Sequence, residues 1–89
     1  MDELTPRQAH VLKTLIEEYI ESAEAVGSET LEKKYNLGVS PATIRNEMAH
    51  LTKIAYLKQP HASSGRIPTA KAFHFYIGQL MEERQLPVT

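Results

Sequence analysis

Two short helical segments separated by a glycine-containing break constrain the fold of this chain more than any other feature of its sequence. Ser28 is placed to cap a first segment, about 29–35. Ser40-Pro41 begins a second segment with a capping residue followed by a proline, which suits the first helical position. Gly38, in the break, tolerates a left-handed backbone conformation. Two helices joined by such a tight turn form a helix-turn-helix, here about residues 28–54.

A longer amphipathic helix is predicted upstream of this pair, ending near Ser22. Thr5 can cap it, Pro6 suits its first position, and Gln8 completes a capping box. The apolar residues that recur with the spacing of one buried helical face are Val11, Leu12, Leu15, Ile16, Tyr19 and Ile20. The glutamates that lie mostly off this face, and are expected to be solvated rather than paired for acid–base chemistry, are Glu17, Glu18 and Glu21.

The pattern changes after Ala55 to that of a short β-hairpin, about residues 56–68. Residues 56–59 are predicted to form its first strand and Arg66-Ile67 the return strand. Two prolines in this stretch cannot donate ladder hydrogen bonds, so the pairing is expected to be short. The hairpin stands where the wing of a winged helix belongs.

A last helix, about residues 70–84, is predicted to follow Thr69, which can cap it. Its apolar and aromatic residues are Phe73, Phe75, Tyr76, Ile77, Leu80 and Met81. Such a stripe is more typical of a core than of a cofactor site. Alternatively, this helix provides a dimer surface or a connection to a further domain.

The length and the residue types limit what such a chain can do. Eighty-nine residues leave room for one compact domain, here 1–89, but not for a deep substrate cavity. There is no cysteine, and the four histidines lack the spacing of a zinc site, so no metal or cofactor is expected. Neither a nucleophile–base pair nor a phosphate loop is visible, which argues against an enzyme. We therefore predict a mainly α fold with a small β-hairpin, a winged helix-turn-helix with a three-helix core, a wing and an additional C-terminal helix.

The location expected for this chain is cytoplasmic. Its acidic N-terminus does not resemble a secretory signal, and no apolar run approaches the roughly 20 residues that cross a bilayer. The absence of cysteine also fits a reducing compartment.

The charges are unevenly distributed along the chain, although the net charge is only −1. Residues 1–32 contain eight acidic and two basic residues, whereas residues 33–78 contain seven basic residues and one acidic residue. A polyanion responds to the local field more than to the sum of charges, so the basic stretch can face nucleic acid. The alternative is two solvated surfaces without a partner.

The helix that begins at Pro41 has one side suited to a major groove. At 100° per residue its core side holds Ile44, Met48 and Leu51. The residues of the opposite side and its flanks are Ala42, Thr43, Arg45, Asn46, Ala49, His50 and Lys53.

Each residue type on that side has a possible contact with DNA. The two alanines permit close approach, Asn46 can pair with adenine, and Arg45 can reach guanine or a phosphate. Lys53 is better placed for phosphate. Ser40 and Thr43, at the helix start, can also bond phosphate. His50 is expected to be a surface residue, with a pH-sensitive contact as the alternative.

Ser63-Ser64-Gly65-Arg66 forms a second candidate site in the hairpin loop. The serines offer hydroxyls and Gly65 permits a tight turn. Arg66 can enter a minor groove or hold a phosphate. The position of this loop directly after a helix-turn-helix is what favours a DNA contact.

Four strings of this sequence match a known family, namely LGVSPATIRNEM at 37–48, Tyr56-Leu57, Gln59-Pro60-His61 and GRIPT at 65–69. With them the sequence resembles the N-terminal DNA-binding domain of the bacterial heat-inducible transcription repressors (HrcA). The similarity extends from about Leu4 to Met81. The positions that match the family's DNA contacts are Ser40, Pro41, Ala42, Thr43, Arg45, Asn46, Gly65 and Arg66.

The resemblance implies a repressor that binds double-stranded DNA, as a homodimer, at an inverted-repeat operator upstream of chaperone operons. It implies release on heat stress, an influence of the chaperonin, and a nucleoid-associated place in a bacterial cytoplasm. It also implies a larger dimerisation and sensing domain in family members. Two alternatives remain open, namely a winged-helix regulator of other genes and a winged helix that binds a protein partner.

Three features depart from the family pattern. Ala55 stands where a glycine is usual, and a left-handed backbone there would make the alanine costly. Residues 72–75 lack the glycine followed by tyrosines that is commoner. Residues 50–53 replace a more acidic run, which favours the approach of DNA.

Overall fold

The structure is a computed structural model that describes residues 4–62 and 64–84. Its helices and strands occur in the order that the sequence predicts. They are α1 (Pro6–Ser22), α2 (Ser28–Lys34), α3 (Pro41–Lys53), β1 (Leu57–Lys58), β2 (Ile67–Pro68) and α4 (Ala70–Arg84). The fold is a winged helix-turn-helix with an additional C-terminal helix, as the sequence predicts. Ser63 and the acidic N-terminal residues 1–3, on which sequence-based expectations fell, lie outside the described residues.

The capping box predicted at the start of α1 is confirmed. Gln8 N donates to Thr5 Oγ1 at 3.1 Å, and Thr5 N donates to Gln8 Oε1 at 3.0 Å. Pro6 occupies the first turn, and the helix ends at Ser22. Reciprocal caps of this kind satisfy backbone donors that the helix itself cannot pair.

The hydrophobic core lies where α1 and α3 cross, closed by α2 on one side and by the hairpin on the other. Its buried residues are Val11, Leu12, Leu15, Ile16, Val26, Leu31, Ile44, Met48, Leu51, Tyr56, Leu57 and Ala72. Full burial of each larger aliphatic side chain contributes about 1.5–3 kcal/mol. The core therefore fixes the face that α3 turns away from it.

The buried face of α1 is shifted from the predicted one. Ile20 is 57% exposed, so its assignment to the core is wrong, whereas Glu18 is only 3% exposed. On a helix, residues seven apart lie almost above one another, and Glu18 lies above the buried Val11. The expectation that Glu18 is solvated is therefore also wrong.

Glu18 is buried because α2 supplies its partners. Lys34 Nζ lies 3.2 Å from Glu18 Oε1, and the Tyr35 hydroxyl donates to the same oxygen at 3.0 Å. Burial raises the pKa of Tyr35 above its usual 10.0, and the bond to Glu18 raises it further. This cluster ties α1 to the end of α2.

The helix-turn-helix forms with one change in its capping. Ser28 is the first residue of α2 rather than its cap, and Gly27 takes the cap position without a side-chain hydrogen bond. Gly38 has φ +73°, as the break requires. Ser40 caps α3, its Oγ accepting from Thr43 N at 3.2 Å.

The hairpin is part of a slightly larger sheet than the sequence predicts. Leu57 pairs with Pro68 and Lys58 with Ile67, so the return strand begins one residue later than expected. Val26 pairs with Arg66 through two backbone hydrogen bonds of 2.8 Å each. The link before α2 thus acts as a third, one-residue strand.

Helix α4 begins as predicted, with the Thr69 hydroxyl accepting from Ala72 N at 3.4 Å. Its most extensive contacts with other elements are with α1 and β2, and Ala72 is buried there. Ile77 and Met81 are 56% and 51% exposed. The stripe is therefore not core along its full length, since α4 extends past the elements that would cover it. Within the described part of the chain, no helix has the length and apolar character needed to span a membrane.

Candidate nucleic-acid interface

The face of α3 predicted to be outward is exposed in the structure. Its exposed residues are Pro41, Ala42, Arg45, Asn46, Ala49, His50 and Lys53, and Thr43 is half-buried. Ile44, Met48 and Leu51 on the opposite side are at most 5% exposed. The outward face of α3 denotes the seven exposed residues named above together with Thr43.

Two hydroxyl groups at the start of α3, those of Ser40 and Thr43, are hydrogen-bonded to each other. Ser40 Oγ lies 3.0 Å from Thr43 Oγ1 while also accepting from the Thr43 backbone N–H. One of the two hydroxyls donates to the other, so the pair keeps one donor for an incoming oxygen. Ser40 itself is exposed.

Glu47, the single acidic residue between positions 33 and 78, is turned away from the outward face. Gln8 Nε2 donates to Glu47 Oε1 at 3.3 Å, and Arg7 Nη1 lies 3.7 Å from Oε2. The Glu47 side chain is 15% exposed. A surface ion pair of this kind contributes little to stability. Its consequence is electrostatic, because the outward face of α3 is left without a carboxylate.

The wing loop is closed by side-chain hydrogen bonds to its own backbone. Gln59 Nε2 donates to the carbonyl oxygens of Ala62 and Ser64 at 2.9 and 3.1 Å. Ser64 Oγ accepts from His61 N at 3.1 Å. The prediction that Gln59 belongs to the first strand is wrong, since β1 ends at Lys58 and the Gln59 side chain closes the loop instead.

Gly65 is required for a reason other than the tight turn predicted for it. A Cβ atom on this residue would lie 2.4 Å from the Val26 carbonyl carbon and oxygen. The φ angle of Gly65 is not left-handed, since Gly38 is the one glycine of positive φ among the described residues. Close backbone approach therefore explains this glycine.

Arg66 lies at the base of the wing, between the sheet and α3, and not at the wing tip. Its Nε donates to Thr52 Oγ1 at 3.0 Å, and the Thr52 hydroxyl donates to Met48 O at 2.7 Å. The contact joins residues 14 positions apart, so no local pattern marks Thr52.

Arg66 and Arg45 line one cleft between α2, α3 and the wing, with a volume of about 400 Å³. We call it the arginine cleft. Its polar lining residues are Ser28, Glu29, Thr30, Arg45, Ser64 and Arg66. The structure thus brings the second candidate site beside the first, and it adds Ser28 and Thr30, which the sequence analysis did not propose as contacts.

The corner between α3 and the wing is held by the start of α4. Lys71 Nζ donates to Ile54 O at 2.8 Å and lies 4.5 Å from the centroid of the Tyr56 ring. Thr69 Oγ1 donates to Ala55 O at 2.7 Å. Ala55 has φ +70°, the left-handed conformation considered for it. The orientation of the wing relative to α3 is therefore set by several contacts.

Among the described residues, no group of three or more histidine, aspartate or glutamate side chains is placed to hold a metal ion. The outward face of α3 exposes the Asn46 amide, the Arg45 guanidinium and the Lys53 ammonium group. Such groups bind base edges and phosphates.

Known proteins are similar to this chain in sequence and in fold. A family model described as "Winged helix-turn-helix transcription repressor, HrcA DNA-binding" matches residues 3–82. The heat-inducible transcription repressor HrcA of Clostridioides difficile (strain 630) is 50% identical over 84 residues, which are 94% of this chain and 25% of that protein. The protein of the same name from Symbiobacterium thermophilum is 54% identical over 80 residues, covering 90% and 24%.

A solved structure, described as a crystal structure of a hypothetical protein at 2.2 Å resolution, also matches. It superimposes with a TM-score of 0.89 at 38% identity, over 98% of this chain and 27% of that one. The chain therefore spans about a quarter of the length of these proteins.

Proposed function

Because this chain belongs to the family of winged helix-turn-helix DNA-binding domains of the HrcA transcription repressors, we propose that it binds duplex DNA sequence-dependently and acts in repressing heat-inducible genes. The relatives are named as transcription repressors, and the proposal involves no catalysed reaction. All 89 residues act in it as one DNA-binding unit.

The observation that carries the proposal is the outward face of α3. A B-DNA major groove, about 12 Å wide, admits an α-helix. Ala42 and Ala49 allow that helix to approach closely, with Asn46 between them to pair with the N6 and N7 of adenine. Arg45 reaches a guanine or a phosphate from the flank, and Lys53 meets the backbone near the helix end.

The other contacts of the proposal surround this face. Ser40, Pro41 and Thr43 meet a phosphate at the start of α3, and His50 lies beside the groove. Gly65 and Arg66 bring the wing base to the phosphate backbone or the adjacent minor groove.

One copy of such a module is expected to bind weakly. Single modules bury about 600–1,000 Å² of protein surface on DNA. Two copies on an inverted repeat would place their recognition helices roughly 34 Å apart, one turn of the duplex. The homodimer, the inverted repeat, the chaperonin as regulator and a nucleoid-associated cytoplasmic location rest on the family resemblance and are part of the proposal.

Fluorescence anisotropy with two duplexes tests the proposal. One duplex carries the chaperone-type inverted repeat and the other a scrambled sequence of the same composition. We expect tighter binding to the inverted repeat at physiological salt. Equal, salt-sensitive binding to both would contradict the assigned target genes. An absence of binding to either, even at low salt, would favour a winged helix that binds a protein partner.

A further inference from the structure

We propose that Thr52 is a positioning residue for DNA binding, which holds the Arg66 guanidinium in the arginine cleft so that it meets a phosphate of the duplex. The inference rests on the proposed function and deepens it. Thr52 is half-buried and belongs neither to the motif strings nor to the outward face of α3.

The donors and acceptors of the two hydrogen bonds at the Thr52 hydroxyl can be assigned in only one way. A hydroxyl has one proton to donate and two lone pairs to accept with. Thr52 gives its proton to Met48 O at 2.7 Å, so its lone pairs face the Arg66 Nε–H at 3.0 Å. The bond to Nε leaves both terminal nitrogens of the guanidinium without a partner among the described residues. Those nitrogens form the fork that binds a phosphate.

Arg66 is held at its backbone as well as at its side chain. Its N–H and its carbonyl oxygen both pair with Val26 at 2.8 Å. A long side chain normally loses rotamer freedom when it binds a ligand, and that loss weakens binding. Because Thr52 orders the Arg66 side chain beforehand, the loss is reduced when a phosphate arrives.

The arginine cleft has the chemistry of a phosphate site. Arg45 is exposed, lines the same cleft and forms no ion pair among the described residues. The hydroxyls of Ser28 and Thr30 add donors, whereas the Ser64 hydroxyl already donates to the carbonyl oxygens of His61 and Gly65. Glu29 also lines the cleft, at more than salt-bridge distance from either arginine. Two guanidiniums, Arg45 on the outward face of α3 and Arg66 beside it, favour an anion, and at that place the anion is a phosphodiester of the bound duplex.

Thr52→Val tests the inference, with Thr52→Ser as the rescue and Arg66→Ala as the second arm. Valine matches threonine in shape but cannot accept from Arg66. We expect Thr52→Val to weaken binding about threefold to tenfold on both the inverted-repeat and the scrambled duplex. Thr52→Ser should retain wild-type affinity. In an Arg66→Ala background, which lowers the salt slope by about one unit, Thr52→Val should have no further effect.

Thr14→Val is the matched control. Thr14 lies in α1 and makes the same bond to a carbonyl four residues earlier, His10 O at 2.8 Å. The Thr14→Val substitution should leave duplex affinity unchanged. Thermal unfolding of every variant checks that each is folded at the assay temperature.

A side-chain NMR measurement of the Arg66 Nε–H separates the two levels of the proposal. Without DNA, this proton should exchange slowly with water in wild type and Thr52→Ser, and rapidly in Thr52→Val. The positioning role is wrong, while the proposed function stands, if wild type binds duplex and Thr52→Val binds it equally well. The same holds if Thr52→Val lowers duplex affinity as much in the Arg66→Ala background as in the wild-type background. If wild type binds neither duplex, the proposed function fails and the phosphate role fails with it.

Discussion

Asn46 lies at the middle of the outward face of α3, between the two alanines that let the helix approach DNA closely. We predict that Asn46→Ala reduces the preference for operator over scrambled duplex, because a bidentate amide contributes about 1–3 kcal/mol of discrimination. Non-specific affinity should change little, since phosphate contacts supply it. Anisotropy titrations with both duplexes measure this. Asn36→Ala, in the exposed break before α3, is the control.

A mutant at position 46 that discriminates as well as wild type would remove Asn46 from base recognition. The same loss of affinity on both duplexes would instead assign Asn46 to a contact with the phosphate backbone of the DNA.

Ala55 is strained by its place in the corner between α3 and the wing. Its φ of +70° is left-handed, where a Cβ atom costs about 1–2 kcal/mol. We predict that Ala55→Gly stabilises the domain by about 0.5–1 kcal/mol, since the relieved strain exceeds the added entropy of the unfolded chain. Thermal unfolding should show a higher midpoint, by a few degrees.

Ala49→Gly is the control for this substitution. Ala49 is exposed inside α3, where glycine costs about 1 kcal/mol. The two changes should therefore have opposite signs. A destabilised Ala55→Gly variant would mean that the left-handed conformation is not strained.

At the scale of elements, the wing depends on the strand that joins α1 to α2. We predict that Gly65→Ala destabilises the domain by about 1–3 kcal/mol, because its Cβ would lie 2.4 Å from backbone atoms of Val26. Gly78→Ala, inside α4 with nothing within 4 Å of an added Cβ, should stabilise it by about 0.5–1 kcal/mol. Urea unfolding measures both. Equal effects of the two substitutions would rule out the close approach as the reason for Gly65.

The Glu18 cluster makes the packing of α1 on α2 sensitive to alkaline pH. The pKa of Tyr35 is raised in the folded state, so its contribution to stability is complete below pH 10 and is lost as the pH rises through the folded pKa. We predict that the free energy of unfolding falls more steeply between about pH 9 and 11 in wild type than in Tyr35→Phe.

Urea unfolding across that range measures the difference. Tyr19→Phe serves as the control, because it removes a hydroxyl from α1 that is not bonded to Glu18. Parallel pH profiles for wild type and Tyr35→Phe would show that neither burial nor the bond to Glu18 raises the Tyr35 pKa in the folded state.

At the scale of the whole molecule, the core ends before α4 does. We predict that Ile16→Ala costs about 2–5 kcal/mol, because Ile16 is fully buried. Ile77→Ala should cost less than about 0.5 kcal/mol, because Ile77 is 56% exposed. Thermal unfolding at two protein concentrations measures both and tests α4 as a surface for self-association. A midpoint that rises with concentration in wild type and not in Ile77→Ala would contradict the prediction and show that copies associate through this face.

The elements and their order could be predicted from the sequence, because the signals for them act over a few residues. The Thr5–Gln8 capping box, the Ser40-Pro41 start and the left-handed Gly38 each lie where local geometry requires them. The buried and exposed sides of α3 followed from its periodicity alone. The DNA contacts assigned to the outward face stay a prediction.

The partners of the polar groups and the limit of the core could be seen only in the folded chain. Glu18 is buried by partners 16 and 17 positions away, and Arg66 is held by a threonine 14 positions away. The apolar stripe of α4 follows helical periodicity, yet nothing in the stripe shows how far α1 and β2 extend beside it. Local patterns predict which side of an element is apolar, whereas burial and pairing depend on neighbours that only the folded chain brings together.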